Sequence, residues 1–393
     1  MAAKKKAVKK EKKDKKGGQF LGAGSTVEAM VDAINLRYGE GTINRISEPR
    51  KLVSIPRVSS GVPGLDLVVL GGGFPRGRQV EIIGEESTGK STLCTMAAVQ
   101  NQKQGFPTFW DDNEGVLDPK WFGSLGVKNV IDMTTGEVIN EDKNAPDFYY
   151  TDGATLENGN QHLDIMKNMI STGKFGMAVC DSIQGIIPQE EMSESLEDYQ
   201  RGVHPRLMNK AIRVIQGVLN KKIEGKENPC SVFWINQTRI NMNATYGDPV
   251  TSTGGEGRKF FSSIRLRLTT GGADSWLYAN KTDKDNGIPP IGRTVRVISL
   301  KNKTYPPHRK WEYDFYFDNS AYHNVSVGQI SIEKDLLRLG LRNKLITLTG
   351  SWFAIGNKKN AKKFQGEDKV LSFLKKNPKV TGKLLEKCVE LEH

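Results

Sequence analysis

Short apolar runs recur along the middle of the chain, separated by segments of helix length. Residues 79–83, 108–112, 176–181, 231–236, 263–268 and 294–300 read as strands, the first of them apolar and β-branched enough to be buried. Helix-length intervals between strands predict an α/β fold whose central sheet is mostly parallel. The last strands follow one another more closely and predict antiparallel pairing. Ahead of this core, residues 25–38 predict a helix capped by Ser25 with Glu28 three positions on, carrying Val27, Met30, Val31 and Ile34 on one face. A linker with Pro49 and Pro56 follows, and from about Ile330 the pattern changes to short, Lys-rich helices. The expected organisation is a basic disordered tail over 1–18, a helix and linker over 19–60, a core over 61–328 and a small α+β C-terminal domain over 329–393. No internal repeat is present.

Charge sharpens this picture through its placement. The formal net charge is +12, of which residues 1–16 supply +7 and residues 357–393 supply +5, so the intervening chain is close to neutral. Basic ends without an amphipathic or lipidation signal favour nucleic acid over membrane as a partner, although a solubilising tail explains the first run equally well. Cys94, Cys180, Cys230 and Cys388 show no paired or metal-ligand spacing and read as buried free thiols. With no signal peptide or membrane-length apolar run, the expected location is the cytoplasm.

The candidate chemistry begins directly after the first strand, where Gly84-Glu85-Glu86-Ser87-Thr88-Gly89-Lys90-Ser91 has the form G-x-x-x-x-G-K-[ST] and Thr92 opens a helical pattern. Glycines here let backbone N–H groups converge on a phosphate at a helix N-terminus. Lys90 is placed to reach the β- and γ-phosphates of a nucleotide, and the Ser91 hydroxyl to bind Mg²⁺. Residues 177–181 are four apolar residues ending in Asp181, a candidate to hold Mg²⁺ through water, although many core strands end in Asp. Asp112-Asn113-Glu114 closes the strand after the first helix, which makes Glu114 a candidate for polarising an attacking water.

These segments, together with residues 37–43, Asp112-Asn113-Glu114-Gly115-Val116-Leu117-Asp118-Pro119, Asp181-Ser182, Ile235-Asn236-Gln237-Thr238-Arg239, Thr253-Gly254-Gly255, Lys301-Asn302-Lys303 and Gly350-Ser351-Trp352-Phe353, occur in the order and spacing of bacterial RecA recombinases. The chain resembles that family over roughly residues 25–390. The resemblance implies a RecA-like P-loop ATPase core that binds ATP and Mg²⁺, assembles with copies of itself into a helical filament on single-stranded DNA, and pairs that strand with homologous duplex. It further implies single-strand-binding and mediator proteins as partners. Under it, Glu114 activates water and Gln237 senses the γ-phosphate. Lys301 and Lys303 reach a neighbouring subunit's phosphates; spacing alone reads them as a solvated strand-end pair. Asp118 and Trp121 fall where the family contacts adenine.

Two polar, aperiodic segments resemble the family's DNA loops. The first, residues 194–205, contains Arg201 and leads into a helix with Arg206, Asn209 and Arg213. The second, residues 239–257, holds Arg239, Met242, Tyr246, Thr251, Ser252, Thr253, Gly254 and Gly255. Structureless segments of this length in a compact domain are functional or disordered. Hydroxyls and backbone N–H groups bind phosphates without reading sequence, and Arg201 and Met242 sit where the family wedges between base triplets. The chain departs from the family at Glu85, where proline is usual, at insertions near 133–152 and 274–287, and in lacking the family's acidic C-terminal tail; divergence of this kind suits a phage-encoded or other mobile-element recombinase. A ring-forming helicase on the same core and an ATP-binding DNA scaffold with little hydrolysis are the alternative readings.

Overall fold

The computed structural model describes residues 26–39, 42–43, 55–131, 135–151, 155–193, 202–240, 250–252, 257–280, 282–319, 326–356 and 361–392. The chain divides into two units, residues 1–54 and 55–393. In the first, α1 (Val27–Tyr38) is capped by Thr26, whose hydroxyl accepts from Ala29 N at 3.2 Å. The cap therefore lies one residue later than expected: Thr26 is extended and reaches the third N–H beyond it, which is the geometry a cap requires.

The second unit is built on a ten-stranded sheet. Its strands are β1 (Gln79–Gly84), β2 (Thr108–Asp112), β3 (Phe148–Tyr150), β4 (Met177–Asp181), β5 (Ser231–Ile240), β6 (Val250–Ser252), β7 (Ile264–Thr270), β8 (Trp276–Leu277), β9 (Gly292–Asn302) and β10 (Lys310–Tyr316). They run in the order β8-β9-β7-β1-β5-β4-β2-β3, with β6 on β5 and β10 on β9. From β7 to β3 every neighbouring pair is parallel. β9 then turns antiparallel to β7, and β10 to β9, as their close spacing predicts.

The central parallel strands are mostly apolar because both faces are covered. Met177, Val179, Phe233 and Ile235 face a core shared with α2 (Lys90–Lys103), while Ala178, Cys180, Val232 and Trp234 point the other way. That second core is closed by α3 (Gly159–Ser171) and α4 (Val203–Leu219). The first core continues into α5 (Ile332–Arg342) and the helices Glu367–Lys376 and Pro378–Glu392, which flank a three-stranded antiparallel sheet over residues 346–365. One carboxylate pins this junction: Asp335 accepts from Gly64 N and from Trp311 Nε1, each at 2.6 Å. All four cysteines are buried and free.

Three sequence expectations change in detail. α4 begins at Val203, so the end of the first expected loop is already helical; Pro205 fits the first helical turn, where no N–H is needed. The second expected loop is not structureless, because Thr238, Arg239 and Ile240 pair with Ser252, Thr251 and Val250 as an antiparallel hairpin. Within residues 133–152, Val138–Ile139 pairs with Val130–Ile131, and β3 is added to the sheet edge.

Candidate nucleotide and DNA site

The phosphate loop leaves β1 at the carboxyl edge of the parallel sheet and enters α2 at Lys90. Gly84 has no room for a side chain: a Cβ there would stand 2.6 Å from Thr88 Oγ1 and 2.7 Å from Leu268 O. Gly89 takes φ +87° immediately before the helix, a left-handed conformation that favours glycine. Thr88 Oγ1 donates to Glu85 O at 2.8 Å and Lys90 Nζ to the same carbonyl at 2.7 Å, closing the loop on its own lysine. Ser87 is held at φ 56° and Glu86 is exposed. Burial lowers the Lys90 ammonium's pKa, opposed by Asp181, Glu114 and Glu86 around it.

Asp181 ends β4 beside Ser91. Burial pushes its carboxyl up to about 6, and the Ser91 hydroxyl hydrogen bond works against that rise. A half-buried carboxylate facing a hydroxyl and the phosphate loop is a hard oxygen donor set. Among the described residues no cluster of three acidic, His or Cys side chains could hold a metal alone. That combination fits Mg²⁺, which takes one or two protein oxygens and completes its shell with substrate phosphates and water. Ser91 and Asp181 would hold the ion, and Lys90 would meet the phosphates.

Glu114 is exposed on the loop after β2, and that loop is shaped by Asp112, which is buried. Asp112 accepts from Gly115 N at 3.0 Å through Oδ1 and from Leu117 N at 2.9 Å through Oδ2. Glu114 itself accepts from the Ser182 hydroxyl. Gln237 lies directly beside Gly84 in the β1/β5 register, exposed at the same sheet edge. The structure thus gathers Gly84 to Thr92, Asp181, Glu114 and Gln237 at one edge.

Lys301 and Lys303 are not part of that gathering. Lys301 pairs with Arg265, which pairs with Glu81, so both lysines lie toward the opposite edge. There they converge on the end of the short helix Gly257–Phe261: Lys301 Nζ donates to Lys259 O and Phe260 O, and Lys303 Nζ to Phe260 O at 3.1 Å. Burial, Lys303 and Arg265 together lower the pKa of Lys301. Asp118 caps the helix Pro119–Ser124 through Lys120 N at 2.9 Å, and the half-buried Trp121 packs edge-on against Phe315 at 6.1 Å.

Toward the expected DNA loops, α4 buries Met208, Ile212, Ile215 and Leu219 and exposes Arg206, Lys210 and Arg213, spaced four and three residues apart on one side. Asn209 Oδ1 accepts from Gly257 N at 3.1 Å, tying α4 to the far end of the second loop. Arg239 and Thr251 are opposite one another in the hairpin register. Arg201, Met242, Tyr246, Thr253, Gly254 and Gly255 lie outside the described residues. The sequence leaves Lys210 and Gln184 unmarked, and it shows Asp112 and Ser182 only as motif members without a role. A charge every three or four residues along a helix was available as a signal for Lys210, and a strand-end Asp before a turn for Asp112; nothing local marks Gln184.

Residues 25–141 and 153–321 match the model of the RecA N-terminal domain, the break falling inside the segment read as an insertion. A protein named Protein RecA from Leptospira meyeri is 32% identical over 378 residues, covering 96% of this chain and 86% of its own. Its namesake from Laribacter hongkongensis is 32% identical over 361 residues, covering 92% and 89%. A crystal structure of the RadB recombinase superposes with a TM-score of 0.45 at 15% identity, covering 69% of this chain and 99% of that one. With the family model matched over most of its length and relatives of this identity spanning nearly all of it, the chain belongs to the RecA family.

Proposed function

We propose that this protein is a DNA-dependent ATPase that assembles as a helical filament on single-stranded DNA and carries out homologous pairing and strand exchange. One observation carries the reading: a single strand, β5, brings Gln237 beside Gly84 of the phosphate loop and then continues into the hairpin arm of the second DNA loop. A γ-phosphate that engages Gln237 acts on a strand whose next residues root the DNA-binding segment, which is how a nucleotide state becomes a loop state. Lys90 and Ser91 with Asp181 hold the phosphates and Mg²⁺, and Glu114 orients the attacking water.

The position of Lys301 and Lys303 on the opposite edge supports assembly, since two ammonium groups there can serve phosphates only on another molecule. A site on one edge and its complement on the other is a head-to-tail interface, which generates a helix when the rotation does not close. In this reading residues 19–60 link subunits and residues 329–393 form a basic C-terminal domain. Basic ends and the exposed cations of α4 add sequence-independent affinity for the phosphate backbone. Among the described residues no helix is long and apolar enough to cross a membrane.

The test is ATP hydrolysis by the wild type and Glu114→Gln, with and without single-stranded DNA, with DNA retention followed in the same samples. DNA should raise turnover, and Glu114→Gln should lower it at least a hundredfold while ATP-dependent DNA binding persists. Wild-type protein that coats DNA without turnover would make it a scaffold, and rings in electron micrographs would make it a motor.

A further inference from the structure

A line of side-chain hydrogen bonds crosses the sheet from Glu114 to the root of the second DNA loop. Its fixed end is Glu81, fully buried in β1, which accepts from Arg258 and from Arg265 Nε at 2.5 Å. Flanked by two guanidinium groups, this carboxylate offers its other neighbour an acceptor. Asn236 Nδ2 takes it, donating to Glu81 Oε1 at 3.1 Å, so Asn236 Oδ1 turns to Gln184, whose Nε2 donates at 2.6 Å. Gln184 Oε1 is thereby turned to Ser182 Oγ at 3.1 Å, and that hydroxyl also reaches Glu114 Oε1. The direction of each amide follows from the one before it, starting at Glu81. At the last step one hydroxyl proton faces two acceptors.

We propose that Gln184 is a positioning residue for hydrolysis: by drawing the Ser182 proton to itself it leaves Glu114 Oε1 open to accept from the attacking water. When Ser182 donates to Glu114, one lone pair of that oxygen is taken and the carboxylate is a weaker base toward water. When Ser182 turns to Gln184, the oxygen is released without moving the backbone. Arg258, at the other end of the line, lies in the short helix Gly257–Phe261, whose Gly257 N donates to Asn209 of α4. This rests on the reading of Glu114 as the residue that orients water.

The experiment measures steady-state ATP turnover on oligo-dT with full-length wild type, Gln184→Met, Ser182→Ala, the double variant and Glu114→Gln. Met keeps the volume of Gln184 and removes both the carbonyl oxygen and the NH2 of its amide. Gln184→Met should lower kcat roughly tenfold at unchanged KM for ATP, because the nucleotide is untouched while Ser182 is left with Glu114 alone. In the Ser182→Ala background there is no proton to compete for, so adding Gln184→Met should change kcat less than about twofold. Equal losses in both backgrounds, a loss confined to KM, or no loss would overturn the relay. A wild type without turnover, or Glu114→Gln matching it, would instead remove the reading of Glu114, and the relay with it.

Discussion

Replacing Glu81 by Gln should destabilise the protein by about 3–5 kcal/mol, the cost of breaking a buried ion pair from one side. The carboxylate is inaccessible, Arg258 is 1% exposed and Arg265 13%. Gln keeps the size and can still accept from Asn236, so the loss isolates the charge. Arg258 and Arg265 then both lose the carboxylate they share. Against a typical total of about 5–15 kcal/mol this is a third or more of the stability. Urea unfolding is the appropriate assay, because guanidinium chloride screens the interaction under test; at a slope of a few kcal/mol per molar, the midpoint should fall by on the order of 1 M. Replacing all three residues by apolar ones of similar volume should recover most of the loss, since the desolvation cost of the charges then vanishes along with their attraction. Glu81→Gln within about 1 kcal/mol of the wild type at unchanged slope would refute the reasoning, showing that the cluster contributes nothing net.

Stability should also fall as pH rises from about 4 to about 6. Burial lifts the carboxyls of Asp66 and Asp335 to about 6 from 3.8, so in that window the folded chain holds protons that the unfolded chain has released. A rise of this size is about 3 kcal/mol per group, lost by pH 6 and not regained above it; the difference in urea midpoint between wild type and Asp335→Asn, followed from pH 4 to 7, should carry Asp335's share. Gly84→Ala should fold yet bind ATP at least tenfold more weakly by calorimetry, since its methyl group would collide with Thr88 and the Leu268 carbonyl. Arg206→Ala and Arg213→Ala should each weaken single-stranded DNA binding without changing sequence preference and reduce the slope of log affinity against log salt by about 0.7; unchanged slopes would remove α4 from the DNA surface.

Much of the site is legible along the chain because its parts are local. A strand, a glycine-rich turn and a helix N-terminus are specified by neighbouring residues, and the G-x-x-x-x-G-K-S spacing places Lys90 and Ser91 whatever the rest of the fold does. The same holds for Asp181 and Glu114, each at the end of an apolar run whose exit edge in a parallel sheet is known in advance. The cap of α1 and the start of α4 were displaced because a single residue's backbone angles decide an end, and several candidates stand side by side there. The hairpin of residues 238–240 with 250–252 is hidden because two paired segments of three residues each, Thr-Arg-Ile and Val-Thr-Ser, are too short to carry an alternating apolar signal.

What only the tertiary structure decided depends on pairing between distant segments. The direction of β9 sends Lys301 and Lys303 to the edge opposite the phosphate loop, and no pattern within residues 292–303 contains that choice. Glu81 reads as a lone charge inside a buried strand until Arg258 and Arg265, more than 170 positions later, close around it. Nothing in the sequence marks Gln184, and Ser182 and Asn236 enter it only as members of motifs, with no role of their own. They acquire roles because β1, β4 and β5 lie side by side, and in that dry interior a carboxylate fixed at one end dictates which way each following hydrogen bond must point.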